Sequence, residues 1–379
     1  MEKQITVKSI QTKREMNDFV SFPDWLYRDC PYYVPDLRID VRNMFNSAKN
    51  PGLEFTDIQP FVAYDRKGKV VGRIVGIINH RANEKWHTQN VRFGFIDFIN
   101  DIEVTQLLLK AVEQWGKERG MKYIQGPMGI TDFDKEGMLV EGFEYIGSIN
   151  TIFNFSYYPQ HLESLGYEKE VDWVQIRIDI PQTTPKKYAR VAKLAKEMFH
   201  LRNKRLTAAD ITRRGYGKRI FHLLNEAYCP IFGFASLTDK QVDCFIRQYL
   251  SLVDMDLVSV VENEKDEIVG VAVSMCSLSH AMQKAKGKLL PMGWFHLLRA
   301  LKWKPENNAE MLLIAVRPDY QGLGVNALFF DDLIPIFNKH GIQWAETGPQ
   351  LEDNFRELTQ WKPLNPLITK RRRCYKKEL

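Results

Sequence analysis

Residues 312–328 read Leu312-Leu313-Ile314-Ala315-Val316-Arg317-Pro318-Asp319-Tyr320-Gln321-Gly322-Leu323-Gly324-Val325-Asn326-Ala327-Leu328. Five apolar residues form a strand that stops at Arg317-Pro318, because proline cannot continue a ladder. A glycine-bearing turn follows, and an apolar helical pattern opens directly after it. This order aims several backbone N–H groups and the positive end of a helix dipole at one spot, which suits a diphosphate. Glycine there leaves room for the phosphates to reach the backbone. No Lys-Ser/Thr follows the turn, so it is not a P-loop, and no G-x-G-x-x-G is present for a dinucleotide.

Outward from this turn, the chain repeats itself. A helical pattern at Val104, Leu107, Leu108, Ala111, Val112 and Trp115 closes at Gly120, followed by a strand at 121–125 and Gly126-Pro127. Later, Leu328, Phe329, Leu333, Ile336 and Phe337 close at Gly341, followed by a strand at 342–347 and Gly348-Pro349. The two glycines lie 221 positions apart. Upstream, the hairpin 61–78 matches the hairpin 257–275, with Gly72 and Gly270 at an offset of 198. The second copy therefore holds about 23 extra residues, visible as the apolar and basic segment 281–303. That segment reads as an amphipathic helix broken near Pro291-Met292-Gly293. It is expected to pack over an acceptor groove, with an acyl pocket or a membrane surface as alternatives. Each half alternates strands and helices, so the fold class is α/β (α+β), two domains each with a mixed, mostly antiparallel sheet flanked by helices. The expected boundaries are 1–180, a basic linker helix within 181–206, and 207–379.

Composition agrees with two cores. The chain has 379 residues, long for one domain. An aromatic content of 12% argues against disorder. The net charge of +6 is too small to imply nucleic acid, and phosphate-bearing ligands also suit it. The five cysteines, Cys30, Cys229, Cys244, Cys276 and Cys374, are scattered, without zinc spacing, which fits a reducing compartment and no metal. The N-terminus lacks a signal-peptide pattern and no run of about 20 apolar residues occurs. The expectation is a cytoplasmic protein without a transmembrane segment.

The run Val-x-Pro-x-Tyr-Gln-Gly-x-Gly-Val resembles motif A of the GNAT superfamily of acyl-CoA N-acyltransferases, and the element order of both halves is similar to that fold. The whole resembles an uncharacterised tandem-GNAT group of bacterial proteins. In the pattern Q/R-x-x-G-x-G/A, Gln321 and Gly324 fit, while Asn326 stands where Gly or Ala is usual. The resemblance implies that Val316, Gln321, Gly322, Leu323, Gly324, Val325 and Asn326 hold acetyl-CoA or another acyl-CoA as co-substrate. It also implies a cofactor contact from Asn354, which could equally be a helix cap. The implied activity is transfer of an acetyl or longer acyl group to an amine, carried by a small molecule or a peptide. The alternative is a non-catalytic acyl-CoA-binding or protein-interaction module, and a homodimer is compatible with either.

N-acylation needs a polarised thioester, a neutral amine and a proton for the leaving thiolate. Glu346, on the strand after the motif helix, is the candidate base. The family's usual acid, a tyrosine, is replaced by Trp361, whose indole cannot protonate a thiolate; Tyr228 and Tyr375 are the substitutes. The tail 370–377, Lys-Arg-Arg-Arg-Cys-Tyr-Lys-Lys, reads as a solvated edge strand. The first half is expected to bind no coenzyme A. Its turn at 95–103 lacks glycine and brings Asp97, Asp101 and Glu103 to where a diphosphate would sit.

Overall fold

The computed structural model describes residues 5–249 and 252–379. In chain order, the first half runs β1 (Thr6–Ser9), α1 (Lys13–Leu26), α2 (Arg38–Met44), β2 (Thr56–Tyr64), β3 (Val70–Asn79), α3 (His80–Trp86), β4 (Asn90–Phe98), α4 (Ile102–Lys117), β5 (Tyr123–Gly126), β6 (Met138–Glu141), α5 (Tyr157–Ser164) and β7 (Glu168–Asp179). There follow α6 (Lys186–Phe199), β8 (Arg202–Lys204), α7 (Ala208–Thr212), α8 (Tyr216–Ala227), α9 (Asp239–Tyr249), β9 (Val258–Glu262), β10 (Ile268–Cys276), α10 (Ser279–Ala285) and α11 (Gly293–Lys302). The chain ends with β11 (Asn308–Val316), α12 (Val325–Lys339), β12 (Trp344–Thr347), β13 (Gln350–Leu351), α13 (Phe355–Thr359) and β14 (Leu367–Glu378).

The chain forms two compact units whose segments interleave. The first comprises Met1–Val174, Ser279–Leu298 and Thr369–Leu379; the second comprises Gln175–Leu278 and Arg299–Ile368. The contiguous division read from the sequence thus meets a discontinuous one. Within the first unit, β1, β2, β3 and β4 are antiparallel neighbours, β4 and β5 are parallel, and β14 lies antiparallel beside β5. Within the second, β8, β9, β10 and β11 are antiparallel neighbours, β11 and β12 are parallel, and the end of β7 lies antiparallel beside β12. The two sheets have one topology, but each takes its sixth strand from the other half of the sequence.

The parallel pair in each unit is bridged by a helix, α4 or α12, and the repeat's matched glycines explain how closely it packs. A Cβ on Gly72 would come within 2.6 Å of Leu108, and one on Gly270 within 2.7 Å of Val325 and 2.8 Å of Phe329. Both glycines let the crossover helix lie against the middle of its sheet. The apolar face of α4 is Val104, Leu108, Leu109, Val112 and Trp115, all buried, at the 3.6-residue period.

The tail is not a solvated edge strand. Tyr375 to Glu378 pair with β5, and residues 371–373 pair with β6. Its cations are matched by carboxylates of the same unit. Arg373 makes a two-pronged pair with Asp172 (2.8 and 3.1 Å), Lys376 pairs with Glu170 (3.0 Å) and Lys377 with Glu113 (3.1 Å). Arg372 is buried and bonds the carbonyls of Gly137 and Ile152. Basic residues in a strand interior are tolerated because each head group finds an acceptor.

A second buried charge pair organises the first unit. Arg73 on β3 bonds Asp97 on β4 (Nε–Oδ2 2.8 Å), and its guanidinium also donates to the carbonyl of Phe19. Tyr27 donates to Asp97 (2.8 Å), and the amide of Phe98 donates to the Tyr158 hydroxyl. Burial raises the proton affinity of Asp97, while Arg73 opposes that shift. Asp97 therefore lies inside the core, a correction to its expected place at the strand-to-helix turn. Removing one partner of such a pair strands the other charge in a dry interior and costs about 3–5 kcal/mol. Arg73→Met should destabilise the first unit by about that amount in urea unfolding. Adding Asp97→Leu should restore most of the loss. A single substitution within 1 kcal/mol of the parent, as an order-of-magnitude threshold, would contradict this role.

Candidate functional site

In the second unit, β11 and β12 pair in parallel from Asn308↔Trp344 to Met311↔Thr347, and then separate. The last link is the Gly348 amide to the Met311 carbonyl, 2.8 Å, after which the chain turns away. β11 continues to Val316 with β10 on its other side. One edge of β11 is thereby open beyond Met311. Tyr228, immediately after α8, reaches this edge and donates its hydroxyl to the Ile314 carbonyl at 3.0 Å. Burial raises the Tyr228 proton affinity, so the hydroxyl stays a donor at neutral pH.

The open edge leads to the turn singled out in the sequence. Gln321 Nε2 donates to the Val316 carbonyl (3.1 Å), tying the start of the turn to the end of the strand. Gly322 and Gly324 have φ of 81° and 85°, a region that favours glycine. A Cβ on Gly322 would meet nothing within 4 Å, so its backbone faces open space. A Cβ on Gly324 would run into Val191 of α6 at 2.8 Å, so Gly324 also serves helix packing. No side chain caps α12. The Ala327 amide bonds the Gly324 carbonyl (3.0 Å), and no cap side chain serves the amides before it. Val325 is buried against Gly270, the Leu323 amide bonds the Tyr320 carbonyl, and Asn326 donates to Gln360 Oε1 at 2.7 Å. Arg317 is held by Asp319 (2.8 and 3.0 Å) and Glu267 (3.2 Å).

Beyond β12, Asn354 caps α13 by accepting the amide of Glu357 (3.3 Å). Trp361 is 1% exposed, packs edge-on against Phe330 and donates its indole N–H to Gln350 (3.0 Å). It is a core residue. Gln350 in turn donates to Glu357 Oε1 (3.2 Å). Burial pushes the Glu357 carboxyl up to about 7, and its charge contributes to the raised proton affinity of Tyr228. Glu357 was not singled out by the sequence; only its position after the Gly-Pro exit and an Asn cap could have pointed to it. Glu346 is buried on β12, level with Glu310 of β11, and receives a long 3.5 Å contact from the Gln175 amide. It lies one residue before the strands separate. Tyr375 belongs to the first unit, buried and bonded to Glu163, so of the two substitute tyrosines only Tyr228 meets the open edge.

The first unit treats the same places differently. β4 and β5 pair from Asn90↔Tyr123 to Arg92↔Gln125, and the following loop packs back onto β4. The Met128 amide bonds the Phe93 carbonyl (2.9 Å), and a Cβ on Gly94 would lie 2.4 Å from the Met128 carbonyl oxygen. At the start of α4, Asp101 caps the helix by accepting the Glu103 amide (3.1 Å). The loop also holds the carboxyl group of Glu136. Burial, then the charges of Asp132 and Asp134, raises the Glu136 carboxyl well above the usual range, against the pull of Arg92. Among the described residues no cluster of three His, Cys, Asp or Glu could hold a metal, and no helix is long and apolar enough to cross a membrane.

No protein-family model matches the chain. It is similar to Protein YghO of Escherichia coli, 29% identical over 98% of this chain and 95% of that one. It is also similar to the bacterial ceramide synthase of Caulobacter vibrioides, 26% identical over 84% of this chain and 82% of that one. Among solved structures it superimposes on a tandem GNAT protein from the clavulanic acid biosynthesis pathway with a TM-score of 0.58. That match covers 99% of this chain and 98% of the other at 10% identity, where fold persists and chemistry need not. The open parallel pair, the glycine turn and the crossover helix, present in this order in a chain of matching extent, are the GNAT fold, and this chain carries it in tandem.

Proposed function

We propose that the chain is an acyl-CoA-dependent N-acyltransferase whose acyl-CoA site lies in the second unit. The observation that carries this is the uncapped, glycine-lined start of α12 at the end of the open edge of β11. A diphosphate fits against the backbone of residues 321–326, where Gly322 leaves space, and Gln321 holds the turn in shape. An extended pantetheine arm fits the edge of β11 as an added strand would, from Val316 toward Met311. The thioester is then placed near Ile314, Tyr228 and Glu357. Asn354 and Asn326 support this wall through α13 and Gln360.

The chemistry follows from these groups. The amine nitrogen attacks the thioester carbonyl carbon; a C–N bond forms and the C–S bond breaks. The proton leaving the nitrogen passes to Glu357, whose carboxylate near pH 7 is suited to accept it. Tyr228, its O–H turned from the Ile314 carbonyl, donates a hydrogen bond to the developing negative charge, and the proton that Glu357 takes from nitrogen balances the one that the departing thiolate gains. Glu346, the carboxylate expected from the sequence, lies deeper and serves as the second candidate base. The relative named for ceramide synthesis supports a lipophilic acceptor, since ceramide is the fatty amide of a long-chain amino alcohol. A cytoplasmic location accords with this acyl-CoA chemistry.

Asn and Asp both tolerate a positive φ, so Gly322→Asn and Gly322→Asp should fold alike. A charge about 4 Å from a phosphate costs about 4 kcal/mol at an effective dielectric of 20. Calorimetry with acetyl-CoA should show affinity reduced at least about 100-fold in the Asp variant and nearly kept in the Asn variant. Equal affinities in parent and Asp variant would remove the turn from the binding site.

Turnover, read as free thiol released from a long acyl-CoA with a long-chain amino alcohol, should fall as pH drops through about 7, because Glu357 must be ionised to act as base. Glu357→Gln should lower kcat by about 10²–10⁴-fold at pH 8, flatten that limb and leave acyl-CoA affinity intact. An unaffected Glu357→Gln with an inactive Glu346→Gln would reassign the base. Binding of acyl-CoA without thiol release for any amine would leave an acyl-CoA-binding module.

A further inference from the structure

The inserted segment carries a surface that acyl transfer does not explain. From 281 to 304 it holds Lys284, Lys286, Lys288, Arg299, Lys302 and Lys304 and no acidic residue. Within the first unit, Lys284, Lys286 and Lys288 are all exposed. Directly after them, Leu290 and Met292 in the turn between α10 and α11 are 75% and 52% exposed, and Trp294 at the start of α11 is 48% exposed. Large apolar side chains left this exposed at a loop tip forgo about 1–2 kcal/mol of burial each unless something covers them, so such an arrangement marks a docking surface.

The tip is held in shape. The amide of Trp294 bonds the Leu289 carbonyl (2.9 Å), and the amide of Lys288 bonds the Ala285 carbonyl (3.0 Å). The Trp294 indole N–H donates to the Pro291 carbonyl (3.0 Å), so the ring's polar atom is satisfied while its apolar body stays outside. The base is tied down by Gln283, which donates to the carbonyls of Pro31 (2.7 Å) and Tyr33 (3.0 Å), and by the Arg38 amide on Gly287 (2.9 Å). The acids beside this base are engaged elsewhere: Asp24 with Arg38 (2.6 Å) and Asp36 with Lys135 (2.6 Å).

We propose that the α10–α11 turn seats on an anionic lipid surface, with Leu290, Met292 and Trp294 in the acyl-chain boundary and Lys284, Lys286 and Lys288 at the headgroups. Apolar residues at a tip, a tryptophan beside them and three exposed lysines just before them in the chain match the layering of a bilayer interface. A protein partner fits less well, since lysine is depleted from the cores of protein interfaces. Each lysine near an anionic surface strengthens partitioning about fivefold, so three contribute about 100-fold.

The test uses the full chain and vesicles alone, without acyl-CoA or amine, so its outcome is independent of the acyltransferase reading. Flotation should show binding to phosphatidylcholine–phosphatidylglycerol vesicles and much weaker binding to phosphatidylcholine alone. Leu290→Asp with Met292→Asp, both at exposed positions, should weaken partitioning at least about tenfold. Lys284→Gln, Lys286→Gln and Lys288→Gln together should bring it close to the neutral-vesicle level. Tryptophan emission should shift to the blue on binding, and Trp294→Phe should abolish most of that shift. Equal binding to both vesicle types, or full binding by the Asp pair, would overturn the proposal. So would self-association of the parent chain, without lipid, that the Asp pair abolishes.

Discussion

Two parallel strands that part company set the terms for the second unit. β11 and β12 share four residues of ladder and then separate at the Gly348–Met311 bond. A parallel pair normally satisfies its backbone groups along its whole length. Here β11 continues with one edge unpaired, and an unpaired edge binds whatever presents matching donors and acceptors. Tyr228 meets the Ile314 carbonyl on that edge, α12 starts at its far end without a cap, and Glu357 is held by Gln350 from the strand beyond. In the proposed reading, a thioester with a phosphate-bearing tail matches the two ends of this place.

The first unit shows what happens when the same separation is filled. Its loop after Gly126-Pro127 lies on β4 so closely that Gly94 has no room for a side chain. Its crossover helix is capped by Asp101, and Asp97 is turned inward to Arg73. The expectation of charge repulsion at this turn assigned Asp97 the wrong surroundings, since the carboxylate faces the core. Here the edge of β4 is covered by backbone packing, and Asp101 occupies the helix start.

Exchange of the sixth strands accounts for the basic tail. Read along the sequence, 370–377 is a run of charge with no obvious partner. In the sheet it lies between strands, and Asp172, Glu170 and Glu113, each distant in the sequence, take up its cations. Sequence spacing cannot reveal such pairs, because they form only once a strand from one half has been inserted into the sheet of the other.

The sequence by itself determined the repeat, the strand–turn–helix at 312–328 and the α/β class, because these rest on local rules: the hydrophobic period, glycine's tolerance of positive φ, and the stop at proline. It also marked Gly72 and Gly270 as equivalent, and the helix packed on each gives the reason. Tertiary structure decided the rest. It showed Trp361 to be core, brought Tyr228 from α8 to a strand some 86 residues away, and raised the proton affinity of Glu357 by enclosing it. It also left Leu290, Met292 and Trp294 uncovered, where the sequence favoured a packed helix. Proton affinity and exposure depend on which atoms surround a group, and those atoms come from segments that no local pattern places together.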